Sequence, residues 1–159
     1  MTSLKALFDI ASKGAADIFA ARGELAPMWH FVTESGDHFV MVTPWGDPQE
    51  KALTVGLLRE FIAAKNVRRY VMVVEAWTVL ATTKARTDDA LSYVGRMNEH
   101  PDRRETLMIH AEDRDGTQLV GNYYILRPEH RDTPVLSPLH MLERTESVGV
   151  LSGMFSGAA

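Results

Sequence analysis

The sequence predicts a single α+β domain in the order α-β-β-α-β-β-β, with a mostly antiparallel sheet covered on one face by two helices. Three observations predict it. Apolar residues recur at three- and four-residue spacing in two separate segments, 3–22 and 48–65. Short β-prone runs are joined by turn-forming stretches, Glu34-Ser35-Gly36-Asp37 and Asp113-Arg114-Asp115-Gly116. The length of 159 residues with 45% hydrophobic content is that of one domain with one substantial core. The domain is expected over 1–127, followed by an irregular tail over 128–159 that packs on the domain or on a partner subunit.

The first helix follows from Leu4, Leu7, Phe8, Ala11, Ala15, Ile18 and Phe19 on one stripe, with Ser3 as N-cap and Gly23 beyond the end. Lys5, Asp9, Lys13 and Asp17 recur every four residues on the other side, as on a solvated face. The stripe is rich in alanine and glycine, so it suits either the sheet or a second copy of the chain. Residues 28–33 and 38–43 read as a hairpin. Asp47-Pro48-Gln49-Glu50 then supplies an N-cap, a proline at the first helical position and a capping-box glutamate for the second helix. That helix is expected to bury Leu53, Leu57, Leu58, Phe61 and Ile62 and to stop near Asn66.

Residues 68–78 read Arg-Arg-Tyr-Val-Met-Val-Val-Glu-Ala-Trp-Thr, an apolar run suited to a central strand buried on both faces. Truncating Trp77 within such a strand is expected to cost about 3–5 kcal/mol. Residues 82–102 are polar and predict a long loop with a helical turn over 88–94. Residues 104–112 alternate Leu107, Ile109 and Ala111 against Thr106, Met108, His110 and Glu112, and a second hairpin strand runs over 117–127. Prolines 128, 134 and 138 break the pattern thereafter.

Composition narrows the function classes. A net charge of -4 and a charged fraction of 24% leave no basic footprint, so no nucleic-acid partner is expected. The absence of cysteine removes disulfides, thiolate metal sites and cysteine nucleophiles, and suits a reducing, cytoplasmic setting. No stretch approaches the roughly 20 apolar residues of a membrane span, so no membrane partner is expected. Gly-x-x-x-x-Gly-Lys, Gly-x-Gly-x-x-Gly, Gly-x-Ser-x-Gly and His-Glu-x-x-His patterns do not occur.

Glu75 is the first candidate for chemistry. Strand geometry places it on one pleat with Val71, Val73, Trp77 and Val79, where a buried carboxyl would serve as a general acid or base. The plainer alternative, weighted higher, is a carboxylate that pairs with arginine or accepts backbone hydrogen bonds near a sheet edge. His30, His38, His110 and Glu112 form a candidate metal set on three strands, chemically adequate for zinc or iron, against which stands a solvated surface. Trp77, His100, Arg103 and Arg104 form a candidate ligand or partner site, with the arginines as donors to a small anionic ligand or an acidic protein partner. A solvated connection is the alternative there. The sequence leaves the cofactor unknown.

Glu75-Ala76-Trp77 at a strand end, His100-Pro101-Asp102-Arg103 leading to Glu105, and the acidic hairpin 112–116 together resemble uncharacterised bacterial and phage-associated proteins of this size. The likeness covers 70–127. It implies a bacterial or bacteriophage setting and no activity. The order helix, hairpin, helix, strand also looks like the front half of cytidine-deaminase and JAB-type metalloprotease folds. The cysteines of the first and the His-x-His with spaced Ser and Asp of the second are missing, so neither activity is implied.

The functional expectation is a non-enzymatic binding or assembly protein acting through a sheet face and the 82–102 loop. Because the 68–78 strand is apolar on both sides, the face away from the helices needs cover, and a homodimer supplies it economically. The competing expectation is a small hydrolase or metal-dependent enzyme that uses Glu75 with His30, His38 or His110.

Overall fold

A twelve-residue strand with apolar side chains on both pleats has to be covered twice, and that requirement organises this molecule. A computed structural model of the chain describes residues 1–79, 81, 83–142 and 153–155. The elements are α1 (Leu4–Arg22), β1 (Met28–Thr33), β2 (His38–Val42), α2 (Pro48–Ala64), β3 (Val67–Thr78), α3 (Lys84–Leu91), a 3-10 turn (Met97–Glu99), β4 (Arg104–Asp113), β5 (Gln118–Leu126), β6 (Val135–Leu136) and β7 (His140–Met141). The strands form one antiparallel sheet in the order β2-β1-β3-β4-β5-β6, with β7 also pairing β5. The molecule is therefore the expected α+β domain, and through β5 its elements follow the expected order except that α3 and the 3-10 turn stand between β3 and β4.

Alternation sorts the sheet into two faces. Val71 and Val73 of β3 lie opposite Ala111 and Ile109 of β4 and pack against Leu7, Phe8, Ala15 and Phe19 of α1. Tyr70 and Met72 point the other way, with Trp29 and Phe31 of β1, and pack against Val55, Leu58 and Ile62 of α2. The helices thus divide between the two faces rather than sharing one. Both pleats of β3 are apolar, and each takes a helix from within the chain.

The helix ends form as their sequences dictate. Ser3 accepts from the Ala6 N–H, and Gly23 turns left-handed at φ 74° to close α1 through Phe19. Asp47 caps α2 by accepting from Glu50 N–H, and the Glu50 carboxylate reaches back to the Gly46 N–H. Asn66 adopts φ 51° after α2, as its place there predicts. The orientation of α2 differs from expectation. Val55, Leu58 and Ile62 face the sheet, while Leu53 and Leu57 are exposed, because 55, 58 and 62 share one side of the helix and 53 and 57 lie on the opposite side.

Two further expectations change. The stretch expected as a long loop contains α3, capped by Thr83, and the 3-10 turn; Thr82 lies outside the described residues. The tail is not wholly irregular: β6 and β7 add to β5, and Met154 is buried in the α2-side core. Residues 143–152 and 156–159 lie outside the described residues. Among the described residues no helix is long and apolar enough to cross a membrane.

Candidate functional site

Strand lengths decide the environment of Glu75. β1 ends its pairing with β3 at Met28, opposite Val73, so the stretch from Val74 to Thr78 leans on β4 alone. Glu75 sits on this overhang and is exposed. One carboxylate oxygen accepts from the Leu25 N–H at 2.7 Å, which ties the connection between α1 and β1 to the sheet. The expected buried acid is therefore a hydrated one at a local sheet edge, and the backbone-bonding alternative describes it. Trp77, two residues on, is 43% exposed, not central. Together they line a shallow cleft of about 190 Å³ with Glu105, Thr106 and Ile125.

Of the proposed recognition residues, the structure gathers some and separates others. Arg103 stacks its guanidinium over the Trp77 ring at 5.2 Å. Arg104, one residue on, lies over Tyr124 at 5.0 Å. Trp77 lies opposite Glu105 and Thr78 opposite Arg104, so the Trp77 and Arg104 positions belong to opposite pleats. His100 is buried: its Nε2 meets Asp89 of α3 at 3.0 Å, its Nδ1 accepts the Asp102 N–H, and its ring packs on Tyr93. It ties the 83–103 segment together, since Asp89, Tyr93 and Asp102 all belong to it. It is not a solvated loop residue, and its ring nitrogens are already engaged.

The four candidate metal ligands do not converge. His30 lies opposite Val71 and so belongs to the α1 side, where its Nε2 meets His38 Nδ1 at 2.8 Å. Burial, then the neighbouring His38, lowers the His30 pKa. His110 and Glu112 lie opposite Met72 and Tyr70 on the α2 side. The sheet separates the two pairs, and among the described residues no group of three or more His, Cys, Asp or Glu could hold a metal ion. Glu75 joins neither pair. It lies four residues along β3 from the position opposite His30, about 13 Å at strand spacing.

His110 and Glu112 also overturn the solvated-surface alternative, because both are buried. The Tyr70 hydroxyl donates to Glu112 Oε2 at 2.6 Å, and the Gly153 N–H donates to the same oxygen at 3.1 Å. Burial and this carboxylate hold the Tyr70 phenol far above its usual range. The Phe155 ring packs on Tyr70 at 5.4 Å, so the described end of the chain is fastened to this pair. Asn122 of β5 shares this face and is likewise buried.

α1 runs over β3, β4 and β5, which leaves the hairpin uncovered on that side. Val40 of β2 is 60% exposed and Ile10 of α1 is 54% exposed. Between them runs a cleft of about 230 Å³, lined by Ile10, Gly14, Ile18, Met28, His30 and Val40. It shares Ile18 and Met28 with a second hollow of about 530 Å³ that reaches Val42 and Ala26. β2 closes the sheet on this side, and among the described residues no strand lies on its outer edge.

Sequence reasoning missed this groove and Asn122. The groove arises from where α1 lies across the sheet, which no local pattern encodes. Asn122 carried the same signal as Glu75, a lone polar residue within Leu-Val-Gly-Asn-Tyr-Tyr-Ile. No family model, no curated protein and no solved structure matches this chain.

Proposed function

We propose that this chain is a non-enzymatic binding and assembly protein that pairs with a second copy of itself along the α1-side groove and the outer edge of β2. The observation that carries the reading is the edge strand His-Phe-Val-Met-Val, whose Val40 and Val42 side chains are both exposed beside the exposed Ile10. Exposed edges are ordinarily blunted by lysine, proline or a bulge within the strand, and β2 contains none of these. Antiparallel pairing of one edge strand with its own copy is isologous and closes at two. It would bury the valines and satisfy the edge amides in one step. The Trp77–Arg103 end, with the 83–103 segment, lies away from this edge and is left for a further protein partner or small anionic ligand.

Static light scattering across a dilution series tests the pairing. Wild-type protein is expected to run as a dimer, and Val40→Arg, which places a charge in the apolar contact, is expected to weaken it by roughly a hundredfold. A monomeric wild type at all concentrations overturns the reading. So does a Val40→Arg dimer of undiminished strength.

A further inference from the structure

Among the residues lining the α1-side cleft, His30 carries the one titratable side chain. Its Nε2 meets Nδ1 of His38 at 2.8 Å, with the ring centres 5.0 Å apart. His38 opens the edge strand β2 and stands on the same pleat as Val40 and Val42. The pair therefore joins the wall of the groove to the edge that a second copy would take. A bond between two imidazole nitrogens holds one proton, donated by one ring and accepted by the other. Any further proton has to enter at an outer nitrogen, and it makes the pair cationic.

What faces the pair decides whether that charge is tolerated. On α1, Lys5 pairs with Asp9 and Lys13 with Asp17, all exposed, while Arg22 and Glu24 stand at the Val42 end of the groove, away from His38. On β3, Arg69 is one strand beyond His38 across Val32, and its guanidinium is taken by Asp113 and the Thr2 carbonyl; Glu75 is held by the Leu25 N–H. In the hairpin turn, Glu34 faces Arg68 and Asp37 accepts from Ser35. At the chain start the Met1 ammonium adjoins Thr2, whose hydroxyl meets Nε2 of His38 at 3.3 Å. Among the described residues no carboxylate bonds to either ring, so an added positive charge has no counter-ion there. Burial and His38 both disfavour the charged form of His30.

We propose, on the basis of the β2 pairing proposed above, that the His30–His38 pair is a proton switch for it: two copies join while the pair is neutral and separate when it is protonated. Isologous pairing brings a second His30–His38 pair to the same contact, so protonation places two like charges in an apolar interface. The dimer then binds fewer protons than two separate copies, and by linkage it is strongest at neutral pH and weakens as pH falls through the histidine range.

Sedimentation equilibrium at pH 7.5 and pH 5.5, with far-ultraviolet circular dichroism at both, tests the switch. The wild-type dissociation constant is expected to rise by about tenfold or more at pH 5.5, with circular dichroism unchanged and full recovery at pH 7.5. The double variant His30→Gln, His38→Gln removes both titrating rings, and its dimer is expected to change by less than about threefold between the two conditions. Should that variant not fold, His38→Gln alone takes its place, at an exposed position, with a smaller pH effect than wild type expected. A wild-type dimer equally strong at both pH values overturns the switch and leaves the pairing standing. A wild-type monomer at both overturns the pairing and the switch with it. A pH effect undiminished in the folded variant, or circular dichroism lost together with the dimer at pH 5.5, overturns the switch alone.

Discussion

Tyr70 and Glu112 are direct register partners on β3 and β4, and the phenol donates to the carboxylate at 2.6 Å in the buried α2-side core. The bond fixes one carboxylate oxygen, which also receives the Gly153 N–H, so a strand pair and the 153–155 segment meet on a single atom. Tyr70→Phe leaves that buried oxygen one donor short. The variant is expected to lose about 1–3 kcal/mol in urea unfolding. In a Glu112→Gln background the same change is expected to cost less by at least about 0.5 kcal/mol, because the two residues act as one unit.

Trp77→Ala distinguishes the overhang from a strand buried throughout. The indole is 43% exposed and held chiefly by Arg103 over its ring at 5.2 Å. The expected loss is about 1 kcal/mol, the sum of partial burial and one exposed cation–π contact. A loss of about 3 kcal/mol or more, typical of a fully packed aromatic, would contradict the placement of β3's last residues beyond β1.

At Gly121 the Phe8 ring of α1 leaves no room for a side chain on β5. A Cβ built there would stand 3.0 Å from Phe8 Cζ and 3.0 Å from the His140 carbonyl oxygen. Gly121→Ala is expected to destabilise by about 1–3 kcal/mol through overpacking. Combining it with Phe8→Leu should recover about 0.5 kcal/mol or more relative to the sum of the single changes, as measured by a double-mutant cycle.

Acid sensitivity follows from two histidines, His110 buried and His30 half-buried. Desolvation is the first cause of the lowered pKa at both His110 and His30, each from an ordinary 6.5; nearby Glu112 partly opposes it at His110, and His38 adds to it at His30. The folded state therefore binds these protons less readily than the unfolded chain. Stability is complete above about pH 6.5 and falls as pH drops below it toward the folded-state pKa values. His110→Phe is expected to flatten the slope of unfolding free energy between pH 7 and pH 5. An unchanged slope would show that the ring titrates as in water.

The legible parts of the fold were those written locally. Ser3, Gly23, Asp47 and Asn66 bounded the helices because caps and left-handed positions depend on a few adjacent residues. The Asp113–Gly116 turn joined β4 to β5 for the same reason. Glu75 was singled out by its apolar neighbours, yet its exposure depends on β1 being six residues long beside a β3 of twelve. His110 and Glu112 read as solvated on alternation alone, but the Tyr70 side chain lies against both and the Gly153 backbone reaches Glu112. The convergence of residues distant in sequence, and the faces to which helices go, are properties of packing that no window of sequence contains.

The pairing of β2 with its own copy is tested most directly by cysteine cross-linking, which is clean here because the chain has no native cysteine. Single variants His38→Cys, Val40→Cys and Val42→Cys are oxidised gently and run on non-reducing gels, with Leu57→Cys on the exposed side of α2 as the control. The account predicts a disulfide-linked dimer that peaks at the β2 position nearest the two-fold axis, where Cβ atoms approach to about 3.5–4.5 Å, and none for Leu57→Cys. Equal, slow cross-linking at all four positions would contradict it.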